Sequence, residues 1–107
     1  MENMKFYLVE ESLGDDGMWT AGIVKSVING VKLLFKSDCL CSYSMCRDEK
    51  TGDCQDLWEY LGFAKAKDFN EKDAFEKIKD KTDDELIEFV NKFDCFIRPL
   101  ELWEPTE

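Results

Sequence analysis

Four of the five cysteines lie close together, and their thiols carry the clearest chemistry in the chain. Their spacing is C-x-C-x4-C-x7-C, over Cys39, Cys41, Cys46 and Cys54. Four thiolates can hold zinc or an iron–sulfur cluster. The spacing lacks the C-x2-C pairs typical of such sites, and free thiols commonly pack as small apolar groups. We therefore expect packed thiols and no cofactor, with a structural metal site as the alternative.

Other catalytic patterns are weaker. Cys41 and Arg47 match the C-x5-R spacing of phosphatases, but no glycine lies between them, and an acidic chain raises a thiol pKa. The chain has no histidine, which excludes histidine-based triads and histidine metal ligands. Asp83, Asp84 and Glu85 fit the start of a helix better than a carboxylate active site. We expect no catalytic residue and no enzymatic activity.

Composition limits the possible partners. The 107 residues include 24 Asp and Glu against 14 Lys and Arg, which gives a net charge of -10. Nucleic acids and anionic membranes repel such a chain.

Residues 1–107 are expected to form one domain. The sequence shows neither a signal peptide nor an apolar run of membrane-spanning length, and five cysteines suit free thiols in a reducing compartment, so we expect a cytoplasmic protein.

The negative charge is concentrated near the C-terminus. Residues 80–107 hold nine acids and three bases, a net of -6. Such a surface either keeps the protein soluble or complements a basic surface on another protein, which could itself be a surface that binds nucleic acid. A tryptophan so near the C-terminus either packs on the sheet or contacts a partner. The candidate partner-binding residues are Asp80, Asp83, Asp84, Glu88, Asp94, Glu101, Trp103 and Glu104.

In general style, a small acidic domain without histidine or a catalytic motif is similar to phage-encoded inhibitors of host defence, including anti-CRISPR proteins and DNA mimics. The similarity is one of composition and assigns no role to any residue. It implies a binding protein rather than an enzyme.

The first third of the chain predicts strands. Residues 4–10 are apolar and β-prone, residues 18–28 alternate in polarity, and residues 31–41 continue an alternating pattern. Asn29-Gly30 fits the type I′ turn of a hairpin, so these segments predict an antiparallel meander. Residues 95–103 form a last strand, which must be an edge because Pro99 cannot donate to a ladder.

The second half predicts helices over 54–62, 71–80 and 83–93. Asp53, Asn70 and Thr82 are the expected N-caps, and Thr82 with Glu85 forms a capping box. Leu86, Phe89, Val90 and Phe93 follow helical spacing. The expected fold is α+β, an antiparallel sheet of three or four strands with two or three helices on one face. The C-terminal edge strand could also pair with a second copy to form a homodimer.

Overall fold

The computed structural model describes residues 5–47 and 50–100. These residues form an α+β fold, as predicted, with a three-stranded antiparallel sheet, a two-stranded sheet and four α-helices. None of the described helices is long and apolar enough to cross a membrane. In chain order the elements are β1 (Tyr7–Ser12), β2 (Met18–Val24), α1 (Val27–Lys36), β3 (Met45–Arg47), β4 (Cys54–Asp56), α2 (Leu57–Tyr60), α3 (Glu71–Ile78), α4 (Asp83–Asn91) and β5 (Cys95–Pro99).

The main sheet has the order β2-β1-β5, and both pairings are antiparallel. Val9, at the centre of β1, lies opposite Gly22 on β2 and Ile97 on β5. The N–H of Leu100 donates to the carbonyl of Phe6 at 2.8 Å, which continues the β1–β5 pairing by one bond. The last strand is therefore an edge strand, as Pro99 predicts, and β1 is the strand with which it pairs.

The prediction of a third meander strand over 31–41 is wrong, because Val27–Lys36 is helix α1. Ser26 caps this helix by accepting a hydrogen bond from the N–H of Asn29 at 3.2 Å. Its buried residues are Val27, Gly30, Val31, Leu34 and Phe35, a spacing of three and four that suits a helix and not a strand. The strand predicted over 18–28 accordingly ends at Val24, and Asn29-Gly30 is not a hairpin turn.

The region around residue 54 also differs from its prediction. Helix 54–62 is reduced to Leu57–Tyr60, because Cys54–Asp56 pairs antiparallel with β3. The N-cap is Asp56, without a side-chain cap bond, and not Asp53. This two-stranded sheet was not predicted, since three-residue strands carry too little periodicity to be recognised.

The two later helices are confirmed within a few residues. Asn70 accepts from the N–H of Asp73 at 2.8 Å to cap α3. At α4 the hydroxyl of Thr82 accepts from the N–H of Glu85 at 3.2 Å, and the Glu85 carboxylate accepts from the N–H of Thr82 at 2.9 Å. These reciprocal bonds are the predicted capping box, and they fix the start of the helix that carries most of the candidate acidic residues.

Helix α1 lies unusually close to the sheet at a glycine. A Cβ atom built on Gly30 would lie 2.8 Å from Cδ1 of Ile97 and 3.2 Å from Cγ2 of Val9. Both neighbours are buried, so they have little room to move. At Gly22 a Cβ atom would meet Cδ2 of Leu33 at 2.7 Å, but Leu33 is only partly buried.

We expect Gly30→Ala to destabilise the protein, although alanine normally favours a helix by roughly 0.5–1 kcal/mol. Overpacking of a rigid core typically costs about 1–3 kcal/mol, so a net loss of about 1 kcal/mol is expected in urea unfolding. Gly22→Ala is the matched control, because the partly exposed Leu33 can rotate away, and its cost should be smaller. Equal stability of the wild type and Gly30→Ala would contradict the close approach.

Candidate functional site

The candidate acidic residues that the structure describes are all exposed and lie on or beside α4. We call them the acidic end: Asp80, Asp83, Asp84, Glu88 and Asp94. Glu101, Trp103 and Glu104, which were predicted to share this surface, lie outside the described residues.

Different elements position the members of the acidic end. Asp83 and Asp84 lie in the first turn of α4, and Glu88 lies one turn beyond Asp84 on the same helical face. Asp94 follows α4 with a φ of 61°, in the left-handed region, and its carbonyl accepts from the N–H of Ser12 at 2.8 Å. Asp80 precedes the capping box. The short turns on either side of α4 therefore hold these five carboxylates close to one helix.

The carboxylates of the acidic end are not neutralised within the described chain. No described Lys or Arg nitrogen lies within the 4.0 Å limit of an ion pair with any of them. Elsewhere, Glu76 pairs with Lys79 at 2.7 Å, and Arg98 Nη2 lies 2.6 Å from Glu10 Oε1. Arg98 is one of three bases in residues 80–107. It already forms an ion pair with Glu10 on β1, so it does not neutralise the acidic end.

Glu85 plays a structural part in the same turn. The hydrogen bond from the Thr82 backbone N–H holds the pKa of this carboxyl below its usual range. The cap therefore stabilises the ionised form of Glu85, and its contribution is lost as the pH falls through that lowered pKa. Asp83 and Asp84 also gain from the positive end of the helix dipole, but Asp80, Glu88 and Asp94 lie outside that turn.

A groove of about 1030 Å³, which no local sequence pattern predicts, borders the acidic end. It separates the β3–β4 hairpin from the last turns of α4. Three bases, Arg47, Lys50 and Lys92, line it together with two members of the acidic end, Glu88 and Asp94. The electrostatic field is therefore mixed here. Towards the start of α4 the carboxylates outnumber the bases, of which Lys81 is exposed beside Asp80.

The four clustered cysteines take up different environments. Cys39 is buried, and its Sγ lies 3.3 Å from the Ser37 hydroxyl. Cys41 Sγ lies 3.6 Å from the Ser44 hydroxyl. In the β3–β4 hairpin Cys46 lies opposite Gln55 and Cys54 lies opposite Arg47, so the two cysteines occupy opposite faces of the ribbon.

Within residues 5–47 and 50–100, no three Cys, Asp or Glu side chains are grouped so that they could hold a metal ion. The thiolate site over Cys39, Cys41, Cys46 and Cys54 stays a prediction that this arrangement does not favour. Elemental analysis of protein purified without chelator tests it, and stoichiometric zinc or iron would support it.

Burial suppresses the reactivity of two thiols. It raises the pKa of Cys95 to about 12, and it also raises the pKa of Cys39 above its ordinary value. Both side chains are almost completely inaccessible, whereas Cys54 is exposed. A thiol with a raised pKa supplies little thiolate near neutral pH, so Cys39 and Cys95 are poorly suited to act as nucleophiles.

We expect a thiol reagent such as iodoacetamide to label Cys54 first in the native protein at pH 8. Cys39 and Cys95 should be labelled only when the chain unfolds, because they are buried and protonated. Peptide mapping by mass spectrometry measures the order. The Cys54→Ser variant should lose the fastest phase. Labelling of native Cys95 as fast as Cys54 would contradict the burial described above.

The raised pKa of Cys95 also predicts a loss of stability at alkaline pH. Between the unfolded value of 9.0 and the folded value of about 12, the unfolded chain releases this proton while the folded chain keeps it. The free energy of unfolding should therefore fall as the pH rises above 9, by up to about 1.4 kcal/mol per pH unit. Urea unfolding of the wild type and Cys95→Ala between pH 8 and 10.5 checks this, and parallel slopes would contradict it.

Comparison with other proteins adds no template for these sites. The chain matches no protein-family model, no curated protein and no solved structure. No residue role is therefore transferred from a relative. Function has to be inferred from the charge, exposure and contacts of the chain's own residues.

Proposed function

We propose that this chain is a non-enzymatic protein-binding module that docks its acidic end on a basic surface of another protein and thereby inhibits or regulates it. The observation that carries the proposal is the set of five exposed carboxylates around α4 that the described chain leaves without an ion pair. Such carboxylates attract a basic surface over a distance of about 10 Å at moderate salt.

Helix capping does not account for the whole surface. Asp83 and Asp84 stabilise the start of α4 through the helix dipole, so their presence needs no partner. Glu88 lies past the first turn, and Asp80 and Asp94 lie outside the helix. Asp94 suits the left-handed backbone at its position, and Asp80 lies near Lys79. Glu88 has no structural role in the described contacts, which supports a surface that serves binding.

The direction of docking follows from the mixed charge of the groove. Arg47, Lys50 and Lys92 would repel a basic partner from the groove side of α4. We therefore expect contact to centre on Asp80, Asp83 and Asp84, with Glu88 at its border. If the basic surface of the partner is the one that binds nucleic acid, docking of the acidic end would block that site, as a DNA mimic does. The protein would act in this way in the reducing environment of the cytoplasm.

The test is a charge reversal with a matched control. The variant Asp83→Lys/Asp84→Lys/Glu88→Lys changes the net charge by +6, and so does the control Glu59→Lys/Asp68→Lys/Glu71→Lys. Glu59, Asp68 and Glu71 are exposed, and Glu71 also lies in the first turn of a helix. Both variants therefore lose comparable dipole stabilisation, and only one of them loses the acidic end.

Each chain is immobilised and used to capture proteins from a lysate at about 0.15 M salt, where charges are screened beyond about 8 Å. We expect the control to retain the proteins captured by the wild type, and the acidic-end variant to lose at least about tenfold in recovery. Recovery by the wild type should fall with rising salt, and added duplex DNA should compete. Equal recovery by all three chains, with the same salt dependence, would refute the proposal.

A further inference from the structure

The two edges of the main sheet are protected to different degrees. On one edge, β5 contains Arg98 and Pro99, residues that interrupt or discourage pairing with another strand. On the other edge, the seven residues of β2, Met18–Val24, include no charged residue and no proline. Within the described residues the backbone of β2 is hydrogen-bonded on the β1 side only.

Large apolar side chains accompany this open edge. Met18 is 48% exposed, Trp19 is 39% exposed and Ile23 is 56% exposed. The one device that protects this edge is the bulge at Ala21, where the pairing with β1 shifts by one residue. On either side of the bulge the unpaired N–H and C=O groups can extend the ladder to another strand.

The ladder with β1 fixes which β2 residues share a face. Met18 and Ile23 lie opposite Ser12 and Leu8, which are both on one face of β1. Trp19 and Gly22 lie opposite Glu11 and Val9, which are both on the other face. The irregularity between these pairs reverses the usual alternation, so residues an odd number of positions apart share a face.

We propose that β2 pairs antiparallel with β2 of a second copy of this chain, forming a symmetric dimer with a continuous six-stranded sheet. Residues that lie directly opposite each other in an antiparallel pair must point to the same face of the sheet. In the register that satisfies this condition, Met18 lies opposite Ile23 of the second copy, and Trp19 lies opposite Gly22 of the second copy. Both pairs occur twice by symmetry. Met18 and Ile23 of the two copies cover each other on one face. On the other face Leu33 of α1 already lies over Gly22, and the Trp19 indole stays on the β1 side, where its Nε1 donates to Glu11 at 2.6 Å.

Charge complementarity at the ends of β2 also favours a second copy of this chain, paired antiparallel, as the partner. Asp15 and Asp16 precede the strand and Lys25 follows it, and all three side chains are exposed. The proposed antiparallel register brings the two aspartates of each copy towards Lys25 of the other, at both ends of the interface. A parallel arrangement would instead place like charges together. This local pairing opposes the repulsion between two chains of net charge -10.

The oligomeric state is measured by sedimentation velocity over a concentration series at about 0.15 M salt, which screens the long-range repulsion. We expect a concentration-dependent dimer. Ile23→Lys, which places a charge opposite Met18 of the second copy, should raise the dissociation constant at least about tenfold. The control Leu13→Lys adds the same charge at a residue 46% exposed before β2 and should leave the dimer intact.

Exchanging the charges at the ends of β2 distinguishes a lost contact from a folding defect, because two variants that each dimerise weakly alone should associate when mixed. Lys25→Glu alone and Asp15→Lys/Asp16→Lys alone should each weaken the dimer, because both produce like charges at the two ends. An equal mixture of the two variants should form a heterodimer, because both ends become complementary again. A wild-type chain that stays monomeric, a dimer unaffected by Ile23→Lys, or a mixture that fails to associate would overturn the proposal.

Discussion

The close approach of helix α1 to the main sheet at Gly30 is the constraint on which the rest of the fold depends. The helix backbone passes so near the sheet that a single added methyl group would meet Ile97 on β5 and Val9 on β1. One helix therefore bridges the first strand and the last strand of the fold, and it contacts both although their paired residues are 84 or more positions apart in sequence. This contact covers the β1–β5 half of the order β2-β1-β5, and the β1–β2 half pairs two consecutive strands.

The features that could be predicted from sequence are those decided by local chemistry. The capping box of Thr82 and Glu85 and the apolar spacing of α4 involve residues within a few positions of each other, and both are confirmed. The edge position of β5 follows from Pro99 alone. The exposure of the acidic residues on α4 also follows from its helical period, because the buried positions Leu86, Phe89 and Val90 fix the other face.

The predictions that failed concern features that depend on contacts between residues far apart in the sequence. The segment from Val31 to Phe35 satisfies both a period of two and a period near 3.6, so its local pattern does not separate a strand from a helix. Gly30 was interpreted as a turn residue, whereas its role is to leave space for Ile97, 67 positions later. The groove beside Glu88 was equally beyond prediction, since the hairpin and α4 that border it are joined only by the fold.

The same sheet order separates the two surfaces proposed here. The acidic end lies on and beside α4, which leads directly into β5, whereas the dimer edge is β2, on the other side of β1. Adjacent strands lie about 4.8 Å apart, so β2 and β5 are about 10 Å apart across the sheet. Pairing through β2 would therefore leave both acidic ends uncovered, at opposite margins of a six-stranded sheet.

A dimer of this form would present two acidic surfaces with a fixed separation. Binding of the first surface to a partner with repeated or paired basic sites would make the second contact intramolecular, which raises the overall affinity without any new interaction. Five exposed carboxylates give only modest affinity each, because exposed ion pairs contribute about 0–1 kcal/mol. Bivalent presentation would let so weakly stabilised a contact hold a partner, and it would link pairing through β2 to the function proposed for α4.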